Sequence, residues 1–90
     1  MFLKRKRIVD RKLIEQVKQM KCIACGALPP VDADHITTRG AGGDDTEDNL
    51  MPLCRKCHTL RHKLGIKTFA KKFLSVRRFL ILKKRFDVID

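Results

Sequence analysis

No stretch of this 90-residue chain approaches the ~20 consecutive apolar residues that a bilayer-crossing helix needs, so no membrane-spanning segment is predicted. Nor does the start read as a secretory signal. Met1-Phe-Leu-Lys-Arg-Lys-Arg runs into Ile8-Val9-Asp10-Arg11-Lys12 without an apolar core between them. A cytoplasmic, reducing setting follows as the expectation, in which cysteines stay thiols. Internal repeats, low-complexity tracts and linkers are missing too, which predicts one domain over residues 1–90. Acids are scarce: 10 against 21 Lys and Arg, a formal net charge of +11. Such a surface seeks polyanions. A chain this short buries only somewhat more than ~60% of its unfolded surface, so a metal staple is expected to supplement the core.

What the chain does have is concentrated. All four cysteines and all three histidines fall between Cys22 and His62. Cys22-Ile-Ala-Cys25-Gly26 reads as a zinc knuckle: two thiolates converge on one metal and the glycine allows a tight turn behind them. Cys54-Arg-Lys-Cys57 supplies the other two thiolates. The 28 residues between the pairs exceed the common spacing, so something further is folded between the halves. Two alternatives compete with structural zinc. A pair of disulfides conflicts with a reducing compartment, and a redox C-x-x-C lacks the surrounding thioredoxin-like βαβ pattern.

Charge is unevenly laid out. Residues 1–12 hold six basic side chains and residues 61–90 hold ten, whereas Asp32, Asp34, Asp44, Asp45, Glu47 and Asp48 face only Arg39 in the middle. An acidic pocket in a basic protein suits an anionic substrate joined through a divalent cation. For Asp44, Asp45, Glu47 and Asp48 the preferred reading is plainer, a solvated acidic loop.

Periodicity predicts an amphipathic helix over Val9 to Met20, with apolar positions at Leu13, Ile14 and Val17. Pro29-Pro30 ends any helix. A strand is expected within Val31 to Thr37, a flexible loop at Gly40 to Gly43, and a return strand at Asn49 to Leu53, with Pro52 at an edge or an end. A helix over Arg55 to Leu64 should stop at Gly65. Beyond it, Ile66, Phe69, Ala70 and Phe73, then Val76 and Leu80, form an apolar stripe, with a break near Ser75; the phenylalanines are read as core.

Asp34-His35-Ile36, then Gly42-Gly43, Asn49-Leu50, and Leu53-Cys54-x-x-Cys57-His58 together resemble the HNH nucleases, the ββα-metal or His-Me finger superfamily, in their four-cysteine subgroup. The surrounding phrase is most similar to small HNH proteins of phages and prophages. The resemblance implies an α+β fold: a zinc-stapled ββα core over residues 22–64, a basic N-terminal helix within 1–21 and a basic helical extension over 65–90.

It also implies roles. His35 matches the general base, since a neutral imidazole takes a proton from water near neutral pH. A lone histidine is more often structural, but one preceded by a carboxylate at a strand end in this motif points to catalysis. Asp34 and His58 match ligands of a catalytic divalent metal, Mg²⁺ or Mn²⁺, with Zn²⁺ or Ni²⁺ as alternatives. Successive helical residues lie ~100° apart, so His58 and Cys57 can serve different ions. His62, one turn on, is a further ligand, a phosphate contact or a helix cap. Asn49 belongs to the catalytic motif, with the structural task of bonding backbone across the loop. Alternation along a regular strand turns Asp34 and His35 to opposite faces. Either the strand end is distorted or the two reach a phosphate from different sides, and Asp32, on the face of Asp34, is an alternative ligand.

The expected activity is metal-dependent hydrolysis of DNA, by nicking or cutting, with Arg39, Arg55 and Arg61 as the nearest phosphate contacts. A second copy of the chain or a phage protein is an open partner. The rival is a non-catalytic zinc-ribbon module that binds nucleic acid or docks on a larger phage or recombination complex. That reading leaves the grouping of Asp34, His35, His58 and His62 without a purpose.

Overall fold

The computed structural model describes residues 6–89. The first helix, α1, spans Arg11–Lys18 and starts where Asp10 accepts a hydrogen bond from the Leu13 amide at 3.0 Å. It is shorter than the expected Val9 to Met20. Asp10 takes the cap position, and the Ile8 backbone ahead of it is bonded to a distant loop instead. Ile14 and Val17 turn inward, as their spacing requires.

Strands β1 (Asp32–His35) and β2 (Leu50–Leu53) pair antiparallel, with Asp32 opposite Leu53, Ala33 opposite Pro52, Asp34 opposite Met51 and His35 opposite Leu50. Directly opposed residues share a face, so the register sorts the sheet in two. Ala33 and Leu50 pack with α1 through Leu13, Ile14 and Val17. Met51 and Leu53 lie on the other face, in the main core with Phe69, Ala70, Val76 and Leu80. Both strands are edges, which is how Pro52 is accommodated within β2.

Three helices complete that core: α2 (Arg55–Leu64), α3 (Ile66–Lys72) and α4 (Leu74–Leu82). Gly65 ends α2 with a φ of +86°, a conformation that costs side-chain-bearing residues strain. The break in the C-terminal stripe falls at Phe73, which is extended, rather than at Ser75. Phe69 is fully buried and Phe73 and Phe79 pack against the core, in line with the apolar stripe. The fold is α+β: a two-stranded sheet and a helix, flanked by further helices. Among the described residues no helix is long and apolar enough to cross a membrane. The first five residues, with Lys4 and Arg5 of the basic N-terminal cluster, lie outside the described range.

Candidate metal centre and catalytic cleft

The four thiols converge. Sγ atoms of Cys22, Cys25, Cys54 and Cys57 all lie within 4.8 Å of one another, and those of Cys25 and Cys54 are 3.7 Å apart. Tetrahedral thiolates on a ~2.3 Å bond would stand ~3.8 Å apart, so the donor set fits a metal. The knuckle turns through Gly26, whose amide donates to the Cys22 carbonyl at 2.9 Å, and the Ile23 amide ties it to Pro52 of β2. Burial pushes the Cys22 thiol up, but amide donors from Cys54, Cys25 and Ala24 outweigh it and bring it down to about 6. Burial and the neighbouring thiols push Cys57 up. No disulfide links the four; all are free thiols.

On the α2 face of β1 a second group forms. Asp34, 1% exposed, sits beside Nε2 of His58 and of His62, 3.1 and 3.3 Å from its Oδ1. That oxygen is buried and has no hydrogen-bond partner. Its twin, Oδ2, accepts from Arg61 Nε at 3.1 Å, and a second guanidinium nitrogen donates to the Ile36 carbonyl at 2.8 Å. Asp32 Oδ2 lies 2.9 Å from His58 Nδ1, an arrangement that holds the ring with Nε2 toward Asp34. Burial raises the Asp34 carboxyl, opposed by Arg61, His58 and His62. Donors on a ~2.1 Å bond to one octahedral cation stand ~3.0 Å apart, so an orphaned carboxylate oxygen facing two imidazoles at these distances fits a divalent cation.

Three sequence expectations change here. Arg61, expected to reach phosphate from the surface, is 6% exposed and locked onto Asp34, because its side of α2 faces the sheet. Asp32 is paired with the far nitrogen of the His58 ring and is not one of the group formed by Asp34, His58 and His62. The strand is regular, so Asp34 and His35 do point to opposite faces, and the distorted-strand alternative falls away.

His35 finds its own partner. Its Nε2 lies 2.7 Å from Oδ1 of Asp45, which is 2% exposed. Asp45 was expected in a solvated acidic loop. Burial pushes its carboxyl up, but hydrogen bonds from His35, the Asp10 amide and Arg7 prevail and bring it down to about 2. Asp44 is engaged as well, accepting from the Ile8 amide at 2.8 Å.

Asn49 bonds backbone groups across the loop. Its Oδ1 accepts from the Thr37 amide at 2.7 Å, and its Nδ2 donates to the carbonyls of Thr37 and Asp44 at 3.1 and 2.8 Å. Arg85, from beyond α4, adds donations to Asn49 Oδ1, the Asp48 carbonyl and Thr37 Oγ1. Loop and strand are thereby pinned together.

Asp34, His35, His58 and His62 line one open cleft of about 490 Å³, with Lys18, Arg39 and Arg55 also in its wall. Residues 22–64 match the family model described as HNH endonuclease. That segment, just under half of the chain, is therefore similar to the HNH endonucleases. Its four-cysteine cluster is consistent with the zinc-binding HNH subgroup. No curated protein and no solved structure matches the chain. Within the HNH segment, sequence reasoning missed Asp45, Arg61 and Asp32 as supports. A usable signal existed only for Asp32, two residues before Asp34 and so on its strand face.

Proposed function

We propose that this protein is a metal-dependent endonuclease that hydrolyses DNA phosphodiester bonds, with His35 as general base and a divalent cation held by Asp34, His58 and His62. One observation carries the reading: the buried, unpartnered Asp34 Oδ1 faces two imidazoles in the same cleft that His35 lines. The bound cation would neutralise charge growing on the phosphate and on the leaving oxygen. The chain's own residues do the rest. His35 takes a proton from the attacking water as its oxygen bonds phosphorus. Arg39 and Arg55, basic side chains of the cleft wall, hold flanking phosphates without reading sequence. By family analogy the 3′ oxygen leaves, giving 5′-phosphate and 3′-hydroxyl ends. Zinc held by Cys22, Cys25, Cys54 and Cys57 would fasten the knuckle to the start of α2, the helix that carries His58.

A non-catalytic zinc-ribbon module remains the rival, and the paired supports of Asp34 and His58 weigh against it. Binding DNA needs neither a buried carboxylate oxygen left without a hydrogen bond nor imidazoles oriented toward it. The test is plasmid nicking with Mg²⁺ or Mn²⁺, wild type beside His35→Ala. Loss of the base should slow cleavage by on the order of 10²-fold or more with fold and zinc retained. Equal rates would defeat the proposal.

A further inference from the structure

The acidic loop behind His35 is fastened to the segment ahead of α1. Arg7 reaches Asp45 Oδ1 at 3.0 Å and the Gly43 carbonyl at 3.2 Å, and the Asp10 amide donates to Asp45 Oδ2 at 2.9 Å. Backbone bonds reinforce the join, with the Asp45 amide donating to the Ile8 carbonyl at 2.9 Å. A basic N-terminal arm whose only purpose was to meet DNA would have no reason to place Arg7 against a buried carboxylate.

We propose that Asp45, clamped by Arg7 and the Asp10 amide, is the positioning residue of the His35 base, so that segment 7–10 serves catalysis rather than the DNA-binding tail. The inference rests on the nuclease reading above. Both Asp45 oxygens are occupied by donors from segment 7–10, which leaves the carboxylate no freedom to turn away from His35. An ionised carboxylate only accepts, so the 2.7 Å contact puts the ring hydrogen on His35 Nε2. Nδ1 then keeps its lone pair and is the ring atom able to take a proton from water. Tautomer and ring orientation are fixed together, which is what a general base requires before substrate arrives. Asparagine at position 45 has one acceptor oxygen for three donors, so it cannot hold Arg7, the Asp10 amide and His35 as the carboxylate does.

The experiment uses the zinc-loaded full chain with saturating Mg²⁺, which is diamagnetic, comparing wild type, Asp45→Asn and Arg7→Met. Plasmid nicking gives kcat and KM, and long-range proton–nitrogen NMR correlations of the His35 ring report its tautomer. In wild type His35 should be the Nε2–H form. Asp45→Asn should lose that single form and drop kcat about tenfold or more, within the range a general base contributes, with KM within about twofold. Arg7→Met, which keeps the carboxylate, should lower kcat several-fold and leave the dependence of DNA affinity on salt unchanged. If Arg7 instead holds a phosphate, its loss should flatten the log–log salt slope by about 0.9 with kcat intact. That result would overturn the proposal, as would a folded Asp45→Asn with wild-type kcat or a wild-type His35 in the Nδ1–H form. Wild-type protein that nicks no DNA, with His35 already in the Nε2–H form, would locate the failure in the nuclease reading and remove the catalytic role with it.

Discussion

Replacing Arg61 with methionine separates two incompatible accounts of that residue. As a surface phosphate contact, Arg61 would be dispensable for folding, since surface substitutions usually stay within about 0.5 kcal/mol. In the structure its guanidinium is instead buried against Asp34, whose side chain is 1% exposed, and against the Ile36 carbonyl. Removing one partner of a buried pair costs about 3–5 kcal/mol, because the remaining charge is stranded. His58 and His62 beside Asp34 offset part of this, so the low end, about 3 kcal/mol, is the expected loss. In a domain of this size that is a fall in melting temperature of about 12–24 °C. It is a large share of the roughly 5–15 kcal/mol that holds a domain folded. Thermal melts of zinc-loaded protein without added divalent metal provide the assay, with Arg55→Met as control. Arg55 is 83% exposed and its pairing with Asp32 lies at the surface, so the control should shift stability by no more than about 0.5 kcal/mol. An Arg61→Met protein as stable as wild type but weaker on DNA would refute the buried-clamp account.

The wild-type protein should carry one zinc per chain by metal analysis. Cys25→Ser should unfold on loss of that zinc even though Cys25 is exposed and little packing is disturbed; a folded Cys25→Ser protein by circular dichroism would disprove the staple. Asp32→Asn should weaken the second, exchangeable divalent site by about 10–100-fold in calorimetric titration, by freeing the ring of His58, with zinc content unchanged. Gly43→Ala should lower both stability and nicking, because a Cβ there would lie 1.7 Å from the Thr37 carbonyl oxygen and the loop carrying Asp45 must shift. Wild-type melting and activity in that variant would show that the close approach is not maintained.

What was legible in the sequence was whatever spacing alone encodes. The two C-x-x-C pairs, and His62 one turn beyond His58, each declare a ligand geometry within a few residues, and the structure brings the four thiols together and sets both imidazoles beside Asp34. The boundary of α2 at Gly65 was legible for the same reason. Asp45 was not. Its partners Arg7, Asp10 and His35 lie 38, 35 and 10 residues away, and an aspartate among Asp44, Glu47 and Asp48 carries no mark of burial. Arg61 was hidden among Arg55, Lys56 and Lys63, because only the packing of α2 on β1 decides which cation turns inward. The break at Phe73 was misplaced by two residues, since either break site keeps the apolar stripe on one side.

The register of two short strands is itself a determinant of chemistry. Asp34 and His35 are covalent neighbours, and a slip of β1 by one residue against β2 would exchange their faces. The imidazole would then intrude beside His58 and His62 and the carboxylate would meet Asp45, leaving like charges in contact where an imidazole now pairs with a carboxylate. A four-residue strand has few side chains with which to resist such an error. The burden passes to the connection 36–49, where Asn49 grips both the amide and the carbonyl of Thr37 and so measures the loop's length. Inserting or deleting a single residue in that connection should therefore be more damaging than most substitutions within it, since it disturbs alignment and not merely composition.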